Sequence, residues 1–559
     1  EGGGVWANDD TTITGTTIEA NSAPRGQALR LSDLSGSEAI VLLNSGVLNH
    51  VANDVHAIFA DDYDVNENSS ISLINTVVSG NARGIHLARL SGSSRLLISD
   101  STFHNNGPST LSGGGGSIQI HNSNFTENTG PVYIGQNPAT VEISDTSFER
   151  NSGGPASVLS IHVYGDTSIL VRRNLFSDNN VPEETVLLWC DSNCSTRFVD
   201  NTFSGNTSES GAAVRIAAYF LDGQTIEFIG NSIVDNTATN HVGGLLNESG
   251  IPITLINNII AGNHSPTGDE DIRGLFNSGG NNLIGIIGEV AGFENGVNGD
   301  IVGLSTSPVD PMLGPLEDHG GPTLAHLPLA GSPAIDAGSN ETASATDQRG
   351  VERPQDGDND GTAIADIGAV EVVYNKPPTL NVISDPSAID EDDGLQSVSL
   401  VGITAGAGET QTLQVTATSD NTGLIPDPTV SYTSDETTGS LAYTPVGDAS
   451  GTAVVTVTVT DAGLDDDLQT IADNASFSRT FTVTVNAVND TPLLDAISDP
   501  AGIDEDAGEQ TVDLAGILAG GGESQNLAVA ATSDNTELIP SPTVSYTSDE
   551  TTGSLAYTP

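Results

Sequence analysis

The chain contains 559 residues, which is enough for several domains rather than one. Its 15 lysines and arginines stand against 74 aspartates and glutamates, and the formal net charge of -59 disfavours nucleic acid and anionic membrane surfaces as partners. No stretch approaches the ~20 consecutive apolar residues of a membrane-spanning helix, so we expect no transmembrane segment in this chain. The chain opens "EGGGVWANDD", without methionine, and we interpret this as a processed or truncated start that leaves secretion open.

One short phrase recurs through the first half of the chain, in which a large apolar residue is followed three positions later by asparagine. The pairs are Val78/Asn81, Phe103/Asn106, Phe125/Asn128, Phe148/Asn151, Phe176/Asn179, Phe203/Asn206, Ile233/Asn236 and Ile260/Asn263, and Ile18/Asn21 forms an earlier one. From Asn81 onward, successive asparagines lie 22 to 30 residues apart. Apolar residues five and seven positions before the anchor, such as Leu96 and Ile98, alternate with polar ones, which predicts strands with one buried face.

Strands that recur once per repeat predict a parallel β-helix, an all-β fold in which like residues stack at ~4.8 Å. The phenylalanines and isoleucines are then expected to form an internal stack. Asparagine is expected in the turn because it tolerates the left-handed backbone conformation. Stacked asparagine amides are also expected to hydrogen-bond from coil to coil.

The cysteines are Cys190 and Cys194, in "WCDSNCS". This spacing predicts a disulfide that closes a tight loop in an oxidising compartment, with two loop thiols as the alternative. The neighbouring Trp189 is interpreted either as a platform for a sugar ring or as a core residue.

The repeated phrases resemble two known groups of bacterial surface proteins. Together with "EGGGV", "SGAAV" and "VGGLL", they resemble the repeats of polymorphic outer-membrane proteins and related right-handed β-helix surface proteins. Residues 257–372 carry "NIIAGNHSPTGDEDIRG", "GGNNLIG", "HGGPTLAHLPLAGSPAIDAG" and "DIGAVEV" in order, and resemble the choice-of-anchor Q domain. These resemblances imply a right-handed β-helix over residues 1–374, export, and extracellular or cell-surface residence, and they imply no catalytic activity.

A second kind of repeat follows after residue 376. Residues 383–445 align without a gap with residues 497–559 at an offset of 114, and 48 of the 63 positions are identical. Alternating Val- and Thr-rich runs predict an immunoglobulin-like β-sandwich in each copy, over 377–490 and 491–559. "FTVTVNAVNDTP" resembles the end of a cadherin-like repeat. The second copy lacks counterparts of two long strands, so we expect it to be truncated and the natural protein to continue.

Two acidic motifs predict structural calcium. In "DGDNDG", Asp356, Asp358 and Asp360 alternate before Gly361, as in a loop that folds around a hard cation, and Asp366 is a further candidate ligand. The resemblance to cadherin-like repeats implies calcium at the junctions between repeats. The positions that match are Glu391, Asp461, Asn489 and Asp490. A solvated acidic face is the alternative for both motifs.

The predicted function is that of a secreted or cell-surface bacterial adhesin-like protein, not an enzyme. In this interpretation, the β-helix presents a binding flank to an extracellular glycan or a cell-surface or matrix ligand, and the acidic repeats form a stalk. The alternative is a secreted polysaccharide lyase or glycoside hydrolase, because β-helices often cleave acidic polysaccharides. For that alternative, "GDEDIRG" offers Asp269, Glu270, Asp271 and Arg273 in one loop, and "DDYDVNEN" offers Asp61, Asp62 and Asp64.

Overall fold

The computed structural model divides into two compact units, Glu1–Tyr374 and Asn375–Pro559. The residues that it describes are 5–7, 10–19, 28–31, 39–50, 56–60, 68–90, 93–135, 138–152, 156–191, 193–209, 211, 213–218, 224–266, 271–406, 408–463, 466–469 and 474–559. Within these ranges the regular elements are all β-strands, and no helix is long and apolar enough to cross a membrane.

The first unit is a parallel β-solenoid whose coils each contribute one strand to each of three sheets. Sheet A consists of Val5–Ala7, Leu29–Leu31, Ile58–Ala60, Ile85–Arg89, Leu111–Gly114, Val132–Gly135, Leu159–Val163, Val186–Cys190, Val214–Ala218, Leu245–Asn247 and Ile272–Arg273. Sheet B consists of Thr11–Thr14, Ala39–Leu43, Ser70–Ile74, Arg95–Ser99, Ser117–His121, Thr140–Ser144, Thr167–Arg172, Cys194–Val199, Thr225–Ile229, Ile253–Ile256 and Phe276–Gly280. Sheet C consists of Thr17–Glu19, Gly46–Leu48, Val77–Ser79, Thr102–His104, Asn124–Thr126, Ser147–Glu149, Leu175–Ser177, Thr202–Ser204, Ser232–Val234, Ile259–Ala261, Leu283–Ile284 and Ile301–Val302.

The interior of the solenoid is a column of stacked apolar side chains. Alternation along each strand turns every second residue inward, as at Ile118 and Ile120, and both of these are fully buried. Phe103, Phe125 and Phe148 lie above one another with ring centroids 4.5 and 5.0 Å apart, and the stack continues through Phe176 and Phe203 at 4.7 Å. The predicted aromatic stack is therefore confirmed.

A ladder of asparagine amides runs beside this stack. Each amide oxygen accepts two hydrogen bonds from the preceding coil. For example, Asn128 donates its backbone N–H (3.0 Å) and its Nδ2–H (3.1 Å) to Asn151 Oδ1. The Nδ2 of Asn128 also donates to the carbonyl of Phe103. A second ladder uses the hydroxyls of Ser101, Ser123 and Thr146 and then a series of buried asparagines beginning at Asn174.

The turn conformation differs from the prediction. The ladder asparagines do not adopt the left-handed conformation; the residue just before each of them does, as at Asn105 (φ 51), Glu127 (φ 55) and Arg150 (φ 51). The ladder residue points inward and is buried, so its side chain is selected for its donors and acceptor rather than for backbone tolerance. Asn21, in the first predicted pair, lies outside the described residues.

Two small sheets complete the first unit, and its last segment packs against sheet C. The small sheets are Asn180–Val181, Thr207–Ser208 and Thr237–Ala238, and Leu313–Glu317 with Ala325–Pro328. Ser204 Oγ lies 2.8 Å from His326 Nε2, and Thr202 Oγ1 donates to Gln348 Oε1 at 2.6 Å. The backbone N–H of Ala369 donates to Ser232 Oγ. This segment therefore covers the outer face of the later coils of sheet C.

The second unit contains two related sets of strands. In residues 375–490, a four-stranded sheet and a three-stranded sheet share one core that includes Leu441 and Val457. The four-stranded sheet has the order Ile389–Asp390, Ser476–Asn486, Gly451–Asp461, Leu413–Ser419, and the three-stranded sheet has the order Gln396–Val401, Thr438–Tyr443, Thr429–Ser431. The second copy repeats the three-stranded sheet as Gln510–Ala515, Thr552–Tyr557, Thr543–Ser545. The immunoglobulin-like assignment stays a prediction.

Candidate functional site

The "DGDNDG" motif forms a tight acidic loop. Asp356 accepts hydrogen bonds from the backbone N–H groups of Asp360 and Gly361, both at 3.0 Å. Asp336 joins the loop from outside the motif and accepts from the backbone of Asp358 at 2.8 Å. The carboxylate oxygens of Asp336, Asp356 and Asp358 lie within 4.8 Å of one another, and within the described ranges no other such acidic group is found. Three carboxylates at this spacing suit a hard cation.

The structure does not bring the other two predicted ligands of this loop into that group. Asp360 accepts a hydrogen bond from the backbone N–H of Thr362, two residues further along the chain. Asp366 is buried, and its two oxygens accept from the backbone N–H groups of Asp336 and Val372. Burial, followed by the negative charge of Glu371, raises the pKa of Asp366 to about 7. Asp366 therefore positions the backbone of Asp336 rather than facing the loop.

A second acidic group forms where the two repeats of the second unit meet. Asp490, the last residue of the first repeat, is half-buried, and its Oδ2 is enclosed without a hydrogen-bond partner. Burial and then the negative charges of Asp448, Asp392, Glu523 and Glu391 raise its pKa above the usual value. We call this set of five carboxylates the junction cluster.

Two contacts show how close the members of the junction cluster lie. A side chain at Gly521 would collide with Asp490 Oδ2 and lie 3.1 Å from Asp448 Oδ1, so both carboxylates face the same glycine. Glu391 is buried and accepts from the backbone N–H of Val488 at 2.7 Å. Of the ligands predicted for the junction, Glu391 acts on Asp490 through its negative charge, whereas Asn489 is exposed and donates to the carbonyl of Asp490.

The fourth predicted ligand, Asp461, ends the strand Gly451–Asp461 and contacts Asn375, the first residue of the second unit. Its Oδ1 accepts from Asn375 Nδ2 at 3.0 Å and from the backbone of Gly463 and Ala475. Its Oδ2 is buried without a hydrogen-bond partner, and so are Glu409 Oε2 and Gln411 Oε1. Gln411 donates to Asn375 Oδ1, which links these groups.

The two acidic groups of the second unit occupy equivalent places. At the offset of 114 residues, Glu409 corresponds to Glu523, and each accepts from the backbone N–H of the residue just before its repeat, Lys376 (3.1 Å) and Asp490 (3.2 Å). Sequence reasoning missed Asp336, Asp392, Asp448 and Glu523, and also Glu409 with Gln411. Glu409 and Gln411 recur as Glu523 and Gln525 at this offset, and this repetition is the sequence feature that could have identified them.

The residues proposed for catalysis do not assemble a reactive group in the part of the chain that the structure describes. The described residues do not include Asp61, Asp62, Asp64, Asp269 or Glu270. Asp271 is buried, and its Oδ1 accepts from the backbone N–H and from Nδ2 of Asn263, both at 2.9 Å. Its Oδ2 accepts from the backbone of Ile286 at 2.6 Å. Burial raises its pKa to about 7. Asp271 thus takes the next place in the asparagine ladder, while Arg273 is exposed.

Cys190 and Cys194 are joined by a disulfide between a strand of sheet A and one of sheet B. The adjacent Trp189 is half-buried, on the outer side of sheet A. Its Nε1 donates to Asp191 Oδ1 at 2.9 Å, and its ring stacks on His162 with centroids 6.1 Å apart. Trp189 therefore does not pack in the core.

Comparison with known proteins agrees with the solenoid. Residues 88–282 match the family model described as the right handed beta helix region. No curated protein and no solved structure matches the chain.

Proposed function

We propose that this right-handed β-helix protein is a secreted or cell-surface bacterial protein of the adhesin type. Its solenoid presents a binding flank to an extracellular ligand, and its acidic repeats form a stalk whose junctions bind structural calcium. The observation that carries the proposal is the junction cluster, in which the enclosed Oδ2 of Asp490 has no hydrogen-bond partner and lies under the negative charge of four further carboxylates, one of them, Glu523, from the second repeat.

The charge of the second unit supports a bound cation. Its 29 acidic residues are accompanied by one lysine, Lys376, and one arginine, Arg479. Arg479 lies over the Phe477 ring at 4.7 Å and donates to the carbonyl of Leu380, so its guanidinium already has partners other than the junction cluster. Calcium takes six to eight oxygen ligands, carboxylates among them, and its charge offsets their mutual repulsion.

Calcium titration of the full chain, by calorimetry and by thermal unfolding, tests the proposal. The transition of the second unit should rise with calcium, because a ligand that binds only the native state at 100 times its Kd stabilises by about 2.7 kcal/mol. Asp490→Asn should weaken binding by about tenfold or more, since it removes a charged oxygen ligand. When a chelator removes calcium, Asp490→Asn should unfold at a higher temperature than the wild type, because it removes repulsion between the carboxylates of the junction cluster.

The matched control is Asp499→Asn, an exposed aspartate of the same unit. It should leave calcium affinity unchanged. The stalk proposal is abandoned if the wild type shows neither binding heat nor a calcium-dependent transition, or if both variants weaken binding equally.

The enzyme alternative would use Asp271 and Arg273 among the described residues. The oxygens of Asp271 already accept three hydrogen bonds, two in the ladder and one from the backbone of Ile286, which favours a structural role for this carboxyl. Incubating the full chain with acidic and neutral polysaccharides, and measuring unsaturated products and new reducing ends, tests this view. Accumulating product would replace the adhesin proposal with an enzymatic one.

A further inference from the structure

One outward-facing row of sheet A differs from the rest of this acidic surface. The strand register aligns Trp6, Arg30, Phe59, His86, Ser112 and Tyr133 in successive coils. The row continues through Ser160, Leu187, Arg215, Leu246 and Arg273. None of these eleven positions is acidic, in a chain with 74 acidic residues.

The rings of this row lie against one another. The Arg30 guanidinium lies 5.6 Å from the ring centroids of both Trp6 and Phe59, so it is held between two aromatic faces. Phe59 and His86 stack with centroids 5.4 Å apart. His86 Nδ1 lies 2.7 Å from Ser112 Oγ. These contacts hold each ring in a fixed orientation along the solenoid axis.

At Tyr133 the aromatic surface continues into a neighbouring outward-facing row of sheet A, which contains His162 and Trp189. The Tyr133 ring lies 5.2 Å from that of His162, which stacks on Trp189 in the next coil. Trp6 is 70% exposed, and Phe59, Tyr133 and Trp189 are half-buried. We call the surface from Trp6 to Trp189 the aromatic stripe. It crosses seven coil steps, or roughly 34 Å at ~4.8 Å per step.

The electrostatics of the aromatic stripe favour a neutral ligand. The net charge of -59 repels a polyanion, and the one guanidinium within the stripe already lies between two rings. His56, which stacks on His86, has its pKa lowered to about 4 by burial and then by the positive charges of His86 and Arg83. It is therefore neutral at physiological pH, and recognition would come from ring faces rather than from ion pairs.

We propose that the aromatic stripe binds a neutral linear polysaccharide that lies along the solenoid axis, with the C–H faces of its sugar rings stacked on the aromatic side chains. A row of ring faces aligned along the axis by the strand register suits an extended ligand, because several of its sugars can stack on aromatic side chains at once. The inference rests on the proposed function, since it names the class of ligand for the binding flank.

Tryptophan fluorescence reports on this surface directly, because Trp6 and Trp189 are the two tryptophans of the chain and both lie in the aromatic stripe. The full chain is titrated with hexasaccharides of β-linked glucan, xylan and mannan, and with polygalacturonate. A neutral hexasaccharide should give a saturable signal that is unchanged at high salt. Tyr133→Ser should weaken binding about tenfold, the equivalent of one stacking contact of ~1.4 kcal/mol.

Tyr133→Ser is compatible with the fold because Ser112 and Ser160 are its neighbours in the row. Leu97→Ser is the matched control, since Leu97 lies on the outer face of sheet B between Ser72 and Gln119. It should bind as the wild type does. A urea unfolding curve checks that both variants fold.

The outcomes separate this inference from the adhesin proposal. It is overturned if no neutral oligosaccharide gives a saturable signal, if polygalacturonate binds tighter in a salt-sensitive way, or if Tyr133→Ser and Leu97→Ser behave alike. A glycan array then decides the parent proposal: binding that survives Tyr133→Ser leaves the adhesin role intact on another surface. Failure of the calcium test with a positive titration would remove the stalk and keep the aromatic stripe.

Discussion

The two ends of the asparagine ladders provide a sharp test of how this solenoid is held together. Asp271 ends one ladder and Asp300 ends the other, and each is 1% exposed. In both, Oδ1 accepts two hydrogen bonds from the preceding asparagine. The second oxygen differs: Asp271 Oδ2 accepts from the backbone N–H of Ile286, whereas Asp300 Oδ2 accepts from the Ser278 hydroxyl at 2.5 Å.

Replacing each aspartate by asparagine therefore has unequal expected effects. In Asp271→Asn, the amide nitrogen faces the N–H of Ile286, so two donors meet in a buried place. An unsatisfied buried donor costs about 1–3 kcal/mol. Turning the amide round would instead deprive Asn263 of its acceptor. In Asp300→Asn, the Ser278 hydroxyl can rotate and accept from the new amide, so we expect a loss below about 1 kcal/mol.

Urea unfolding followed by tryptophan fluorescence measures both changes, because Trp6 and Trp189 both lie in the first unit. At pH 8 the Asp271 carboxyl, whose pKa is raised to about 7, is mostly ionised and can accept on both oxygens. Asp271→Asn should lower the free energy of unfolding more than Asp300→Asn does, and the difference should be larger at pH 5 than at pH 8, because at pH 8 the variant also removes a buried charge. Equal losses, or a stable Asp271→Asn, would refute the ladder-end reasoning.

Two further predictions concern the solenoid. Burial raises the pKa of Asp200, Asp271 and Asp366 to about 7 in the folded state, so their contribution to stability is fully present below about pH 4 and is lost as the pH rises through 7. Between pH 5 and pH 8 the free energy of unfolding should therefore fall by up to about 2.7 kcal/mol per carboxyl, and the urea midpoint should fall with it. A flat profile would contradict this. Phe148→Ala, at the centre of the phenylalanine stack, should cost about 3–5 kcal/mol because it leaves a cavity, and Phe148→Leu should cost less in the same assay.

Local sequence patterns were sufficient to predict the solenoid. Alternation at Ile118 and Ile120 places one face of the strand inside, and the spacing from Phe125 to Asn128 recurs in successive coils from Asn81 to Asn263, so both features are readable within a single repeat. The ladder was predictable for the same reason, since in-register stacking brings identical amides together. The residue that adopts the left-handed conformation was misassigned, because several polar residues and glycine tolerate it.

The candidate sites depended on distances that no local pattern contains. Asp271 follows Asn263 by only eight residues and still takes the next ladder position, although it precedes the sheet A strand Ile272–Arg273 instead of following a strand of sheet C. Asp336 joins the loop around Asp356 from about twenty residues upstream. Nothing in the spacing of these residues distinguishes them from ordinary surface acids.

The sequence by itself determined the β-helix and the tandem acidic repeats, because both follow from periodic burial and from repetition along the chain. Only the tertiary structure decided which side chains share a surface. Trp6, Arg30 and Phe59 are separated by 24 and 29 residues, and the register of sheet A alone places them side by side. Likewise, Asp490 and Asp448 lie far apart in the chain, and only the tertiary structure brings both carboxylates beside Gly521. Strand pairing and packing set the distances between these side chains. The spacing along the sequence does not reveal them, because coil and loop lengths vary.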